Sequence, residues 1–161
     1  MAILSLLLTL SAPALRHYWL LQSLDGAQGE VASQLRQLQA RVASESHPLI
    51  FGTRFTPGTG HWWVIRYDQG SDRTSDADDT CVAEGGLRQL VVDVVGPPSS
   101  AFSAPPGVTL SKCGGSYSSD VFVMFYAKGT ATGGTLTLRS EPLDRTRALT
   151  VSPLTGHVDA S

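Results

Sequence analysis

The sequence predicts an α+β protein in which one long N-terminal helix is followed by a small antiparallel β-sheet head. Two observations support this prediction. Apolar side chains in residues 1–46 recur at steps of three or four, as on one face of a helix, and no stop signal interrupts them before Pro48. The rest of the chain has short segments rich in β-branched and aromatic residues, separated by Gly, Pro and Ser, as between strands. We therefore divide the chain into a helix, residues 1–46, and a head domain, residues 47–161.

The first half of the predicted helix is apolar on all sides and carries no charge until Arg16. Such a surface suits lipid or the apolar faces of other helices. We expect that role for Ile3, Leu4, Leu6, Leu7, Leu8, Leu10 and Pro13. A run of ~15 residues spans only about 22 Å, which is short of a hydrocarbon core of roughly 30 Å.

The second half of the helix is amphipathic and should pack on the head. Its apolar stripe, which we expect to bury against one face of the sheet, is Leu24, Val31, Leu35, Leu38 and Val42. A helix of ~45 residues is roughly 65 Å long, whereas a domain of this size is about 30–40 Å across. The helix should therefore extend beyond the domain that it carries.

The head should consist of short strands joined by turns. The first is predicted to begin directly after His47-Pro48, because the residue before a proline is disfavoured in a helix. Trp62 and Trp63 are adjacent in one of them and should point to opposite faces of the sheet. The predicted strands are 49–55, 61–67, 87–95, 108–110, 121–127, 135–138, 147–152 and 156–158.

The acidic segment between Tyr67 and Thr80 is the one place where a metal site is conceivable. Asp72, Asp76 and Asp78 could contribute oxygen ligands to Ca²⁺. The Asp-x-Asp-x-Asp-Gly order of a calcium loop is missing, however. We favour a solvated loop and predict no metal and no cofactor.

Catalytic motifs are also missing from the sequence. It contains no Gly-x-Ser-x-Gly, no His-Glu-x-x-His, no phosphate-binding loop and no Gly-x-Gly-x-x-Gly. A Ser/His/Asp set that folding brings together stays open, since triads are recognised by geometry. We predict that the protein is not an enzyme.

Both ends of the chain resemble a known family. Residues 1–15, Met-Ala-Ile-Leu-Ser-Leu-Leu-Leu-Thr-Leu-Ser-Ala-Pro-Ala-Leu, resemble the transmembrane half of a type IV pilin-type helix, with Pro13 at the position of the helix-kinking proline. Residues 148–158, Ala-Leu-Thr-Val-Ser-Pro-Leu-Thr-Gly-His-Val, resemble the last hairpin of the minor pseudopilin group called GspH/FimT, and Ala40-Arg41 also fits that group. The family's processing site and membrane-buried Glu would lie before Met1, so we expect a start assigned too late or a truncated chain.

The resemblance implies a non-catalytic structural subunit of a type II secretion or type IV pilus filament. Such a subunit is held in the inner membrane by its helix, with the head outside the cytoplasm, and its partners are other pilin or pseudopilin subunits. No small-molecule substrate is expected. In an exported protein Cys81 and Cys113 could form a disulfide, which would stabilise by roughly 3–4 kcal/mol; the alternative is two separate buried thiols.

Two other functions stay open. Ala12-Pro13-Ala14 has the form of a signal-peptide cleavage site, so the protein could be an exported β-sandwich binding module. A competence-type pilin that binds DNA is the second alternative. The net charge is −2, and the tail from Gly156 to Asp159 lacks the family's Gly-Arg-x-Arg. A basic patch could still form from Arg139, Arg145 and Arg147, with Glu141 and Asp144 interleaved.

Overall fold

The structure is a computed structural model that describes residues 2–45, 49–69, 79–96, 110–115 and 119–161. Within these residues it has one long helix, α1 (Ala2–Ser44), and two antiparallel sheets, so the α+β prediction is confirmed. Side chains of α1 are described from Pro13 onward. The strands are β1 (Leu49–Phe55), β2 (His61–Asp68), β3 (Thr80–Gln89), β4 (Asp93–Val95), β5 (Val121–Phe125), β6 (Gly134–Ser140), β7 (Arg145–Val151) and β8 (Val158–Ala160).

Each sheet has four strands, where the sequence led us to expect one small sheet. The first sheet has the order β3-β2-β1-β5 and the second β4-β6-β7-β8. Every described strand pair is antiparallel. The expectation of a single sheet is therefore wrong, because the chain leaves the first sheet after β3 and starts the second with β4.

The prediction of one continuous strand at 87–95 is also wrong. In the structure these residues comprise the end of β3, a bend and β4. Leu90, Val92 and Val94 are all buried, so apolar residues alternate through the bend as they would along a strand. The sequence pattern therefore gives no sign of the bend. The bend is fixed by the β1–β2 turn: the amide of Leu90 donates to the oxygen of Gly60 over 2.8 Å. A Cβ at Gly60 would lie 2.3 Å from the Leu90 oxygen, so this close approach requires glycine.

Most other predicted strands agree with the structure to within a few residues. The segment 49–55 is β1, and the strand predicted at 61–67 ends one residue later as β2. Of the predicted segment 108–110, only Leu110 lies in the described residues, and it belongs to the 3-10 turn Leu110–Cys113 rather than to a strand.

The main core lies where α1 packs on both sheets. It is formed by the apolar stripe of the helix and by the inward-facing side chains of the two sheets. A second, smaller core covers the opposite face of the first sheet and consists of Ile50, Ile65, Tyr67, Phe122 and Met124. The head is therefore layered, with the helix on one side of the first sheet and the disulfide-bearing turn on the other.

Candidate assembly helix

The second half of α1 belongs to the core of the head. The structure places all five residues of the predicted packing stripe there, each at most 2% exposed: Leu24, Val31, Leu35, Leu38 and Val42. The first of them, Leu24, is also the first fully buried side chain of the described helix. The helix contacts strands of both sheets, so it joins them rather than capping one.

Polar side chains of α1 fix the helix to β7, β8, the turn between them and the last residue. Gln28 donates through Nε2 to the backbone oxygens of Ala148 and Ser161 over 2.9 and 3.0 Å. Arg36 donates to the oxygen of Val158 over 3.0 Å, and Gln39 to that of Thr155, also over 3.0 Å. Sequence reasoning missed these residues, because a helix pattern gives no sign of which strand its polar side chains will meet.

The described part of α1 before Leu24 has a different surface. Leu15, Tyr18 and Trp19 are 61%, 62% and 64% exposed. They stand at spacings of three and four and so share one side of the helix. Large apolar side chains grouped on a protein surface commonly mark an interaction site. The predicted residue Pro13 is exposed within the helix, and the side chains of Ile3, Leu4, Leu6, Leu7, Leu8 and Leu10 lie outside the described set.

The outer face of the first sheet is covered by a segment that a disulfide holds in place. Cys81 of β3 is bonded to Cys113, with a Cα–Cα distance of 5.0 Å, so the predicted disulfide is present. Lys112 beside it donates through Nζ to the oxygen of Asp79, and Tyr67 donates to Asp79 Oδ2 over 2.7 Å. A disulfide is favoured in an oxidising compartment.

The two adjacent tryptophans lie on opposite faces of the first sheet, as predicted. Trp62 is fully buried in the main core and stacks on Phe55, with ring centroids 5.6 Å apart. Trp63 is half-buried on the outer face, where the guanidinium of Arg54 lies 4.5 Å from its ring centroid. Arg54 also forms an ion pair of 3.3 Å with the buried Asp120.

The calcium candidates Asp72, Asp76 and Asp78 lie outside the described residues. In the part of the chain that the structure describes, no group of three or more His, Cys, Asp or Glu side chains could hold a metal ion.

The basic residues near the last strands are partly neutralised. Arg139 forms an ion pair of 3.0 Å with Asp144, and Arg147 one of 2.8 Å with Asp25 of the helix. The tail residue His157 lies 3.1 Å from Asp159, while Val158 between them is buried. Phosphate binding needs clustered cations that lack carboxylate partners.

Comparison with protein-family models, with curated proteins and with solved structures finds no match to this chain. Over the described residues, none of the helices combines the length and the hydropathy that crossing a membrane requires.

Proposed function

We propose that this protein is a minor pilin or pseudopilin, a non-catalytic structural subunit of a type II secretion or type IV pilus filament. The observation that carries the proposal is the division of α1. The helix runs unbroken from Ala2 to Ser44, and among its side chains described from Pro13 onward the first that is fully buried is Leu24. The part from Leu24 onward thus holds the head, and the exposed side chains between Pro13 and Leu24 are left for contacts outside this chain.

The exposed side chains of the first half indicate what those contacts are. Leu15 is the last residue of the uncharged segment 1–15, and Tyr18 and Trp19 lie three and four residues after it. Tyr and Trp are enriched where a helix leaves the hydrocarbon and enters the headgroup region, since their rings are amphipathic. The same surface would pack against neighbouring helices once the subunit leaves the membrane.

The proposed location is the inner membrane, with the head outside the cytoplasm. The Cys81–Cys113 disulfide supports an oxidising surrounding for the head. The proposed partners are other pilin or pseudopilin subunits, which contact the apolar half of α1. The proposal includes no cofactor, no small-molecule substrate and no nucleic acid.

Photocross-linking in the native organism tests this function. A photoreactive phenylalanine analogue replaces Trp19, and a matched variant carries it at Leu154, which is 81% exposed on the head. We expect the residue-19 variant alone to form adducts with pilin-type subunits, identified by mass spectrometry of the membrane fraction. The proposal fails if both variants give the same adducts, or if the chain is recovered only as a soluble exported protein.

The N-terminal peptide of the native protein separates this function from the binding-module alternative. An N-methylated residue upstream of Met1 would establish prepilin processing. A terminus at Leu15 would instead mean that a signal peptide is removed after Ala14, and that the anchor is absent from the mature protein.

A further inference from the structure

A cleft of about 230 Å³ lies between the second half of α1 and the edge strand β3. Leu38 of the helix and Val64 of β2 contribute apolar surface, and Gln34, Arg41, Glu84 and Arg88 contribute polar groups. A water takes about 30 Å³ of the liquid, so the cleft has room for roughly eight waters. That space is enough for a single side chain with its head group. The cleft is separate from the exposed residues before Leu24.

Among the residues that the structure describes, cations outnumber carboxylates around the cleft. Arg41 pairs with Glu45 and with Glu84, over 2.6 Å in each case, and these hydrogen bonds raise the pKa of Arg41. Arg66 lies 3.8 Å from the same Glu84. The two guanidinium groups of Arg41 and Arg66 are thus paired with two carboxylates. Arg88 is a third cation, and among the described residues no carboxylate lies within ion-pair distance of it.

Arg88 is nevertheless held in a defined position. Its guanidinium lies 5.1 Å from the centroid of the buried Trp62 ring, and its Nη1 donates to Gln34 Oε1 over 2.8 Å. The position depends on an irregularity in β3: Val64 pairs with Glu84 but Trp62 pairs with Arg88. Gly85 and Gly86 in between have φ of 80° and 78°, a conformation that favours glycine.

We propose that this cleft binds a carboxylate carried on a peptide, such as a glutamate side chain of a partner protein, with Arg88 as the anchor. A guanidinium can donate two parallel hydrogen bonds to a carboxylate, and among the described residues the Arg88 side chain donates one hydrogen bond, to Gln34. Leu38 and Val64 would contact the aliphatic stem. Glu84 disfavours a phosphate, which carries more negative charge than a carboxylate. The proposal stands independently of the filament role.

An NMR titration of the full chain in detergent, labelled with ¹⁵N-arginine, tests the proposal. The probe is N-acetyl-glutamate methylamide, and the controls are its glutamine counterpart and inorganic phosphate, all at matched ionic strength. We expect the glutamate probe to shift the Arg88 Nε–Hε signal saturably, with a dissociation constant on the order of 1 mM. The glutamine counterpart should leave the signal unchanged.

Three variants assign the binding to Arg88, and in them the Nε–Hε signal of Arg41, which lines the same cleft, reports the binding. Arg88→Gln should weaken binding by about tenfold or more, because the charge-assisted bonds are lost. Arg145→Gln removes the same charge from an exposed position on β7 and should bind as the wild type does. Arg88→Lys keeps the cation without the planar fork, and should bind less tightly than the wild type even if Arg88→Gln does not fold.

Three results would overturn the proposal: no saturable shift of the Arg88 signal, an equal response to phosphate, or equal weakening in Arg88→Gln and Arg145→Gln. None of these results bears on whether Trp19 contacts pilin-type subunits, so the two proposals fail separately.

Discussion

The side-chain amide of Gln28 lies 2.9 Å from the backbone oxygen of Ala148, joining α1 to a strand 120 positions further along the chain. The same amide donates to the oxygen of Ser161, and Ala148 and Ser161 also exchange backbone hydrogen bonds of 3.0 Å with each other. Gln28 thus binds both β7 and the last residue of the chain, which are also hydrogen-bonded to each other. This contact lies four residues after Leu24, where the helix becomes part of the head.

Replacing Gln28 with alanine should lower the free energy of unfolding by about 1–2 kcal/mol, because two backbone oxygens lose a donor. Urea denaturation followed by circular dichroism measures the change. Gln37→Ala is the matched control, since Gln37 is exposed and among the described residues its Nε2 donates one hydrogen bond, to Ser33 Oγ of the same helix over 3.5 Å. Equal losses in the two variants would show that the Gln28 bonds do not hold the helix to the head.

Leu35→Ala should cost about 3 kcal/mol of unfolding free energy, since it leaves a cavity in the core that the helix shares with both sheets. Leu15→Ala makes the same chemical change at an exposed position of the same helix and should alter stability by less than about 0.5 kcal/mol. The same urea denaturation measures both. A large loss at Leu15 would mean that the first half of α1 also packs on the head.

Two Gly→Ala variants should change stability in opposite directions. A Cβ at Gly52 of β1 would lie 2.4 Å from the backbone oxygen of Val123 on β5, so Gly52→Ala should cost roughly 2 kcal/mol or more. At Gly29 of α1 an added Cβ meets nothing within 4 Å, so Gly29→Ala should stabilise by about 1 kcal/mol through helix propensity. Thermal unfolding checks both signs, and a stabilising Gly52→Ala would contradict the β1–β5 register.

The Cys81–Cys113 disulfide joins residues 32 positions apart and should contribute about 3–4 kcal/mol in the chain-entropy model. The double variant Cys81→Ser/Cys113→Ser should therefore unfold at lower urea concentration than the oxidised wild type. Adding a thiol reductant should destabilise the wild type and leave the variant unchanged. An oxidised wild type no more stable than the variant would contradict this contribution.

The sequence was most informative where the signal is local. The five-residue stripe from Leu24 to Val42 follows helical spacing, and the structure buries each member in the core. The opposite orientations of Trp62 and Trp63 follow from the alternation of side chains along any strand. The predicted strand 49–55 follows directly on His47-Pro48, and the structure has it as β1 with the same bounds.

The sequence pattern gave a wrong prediction where the chain moves from one sheet to the other while its apolar residues keep alternating. Leu90, Val92 and Val94 stay buried in alternation while the chain passes from the first sheet to the second. Alternation of apolar residues with a period of two shows which side chains are buried. It does not show which neighbouring strand the segment pairs with. For that reason the sequence predicted one strand at 87–95 and one sheet for the whole head.

By itself the sequence determined the helix, its change from an apolar to an amphipathic pattern, and the β-rich nature of the head. Each of these depends on residues close together in the chain. Tertiary structure alone decided the second sheet, the Gln28 contact and the cleft at Arg88. The position of Arg88 opposite Trp62 depends on the irregular pairing of β2 with β3. Such pairing is set by contacts between distant residues, which the periodicity of a single chain does not encode.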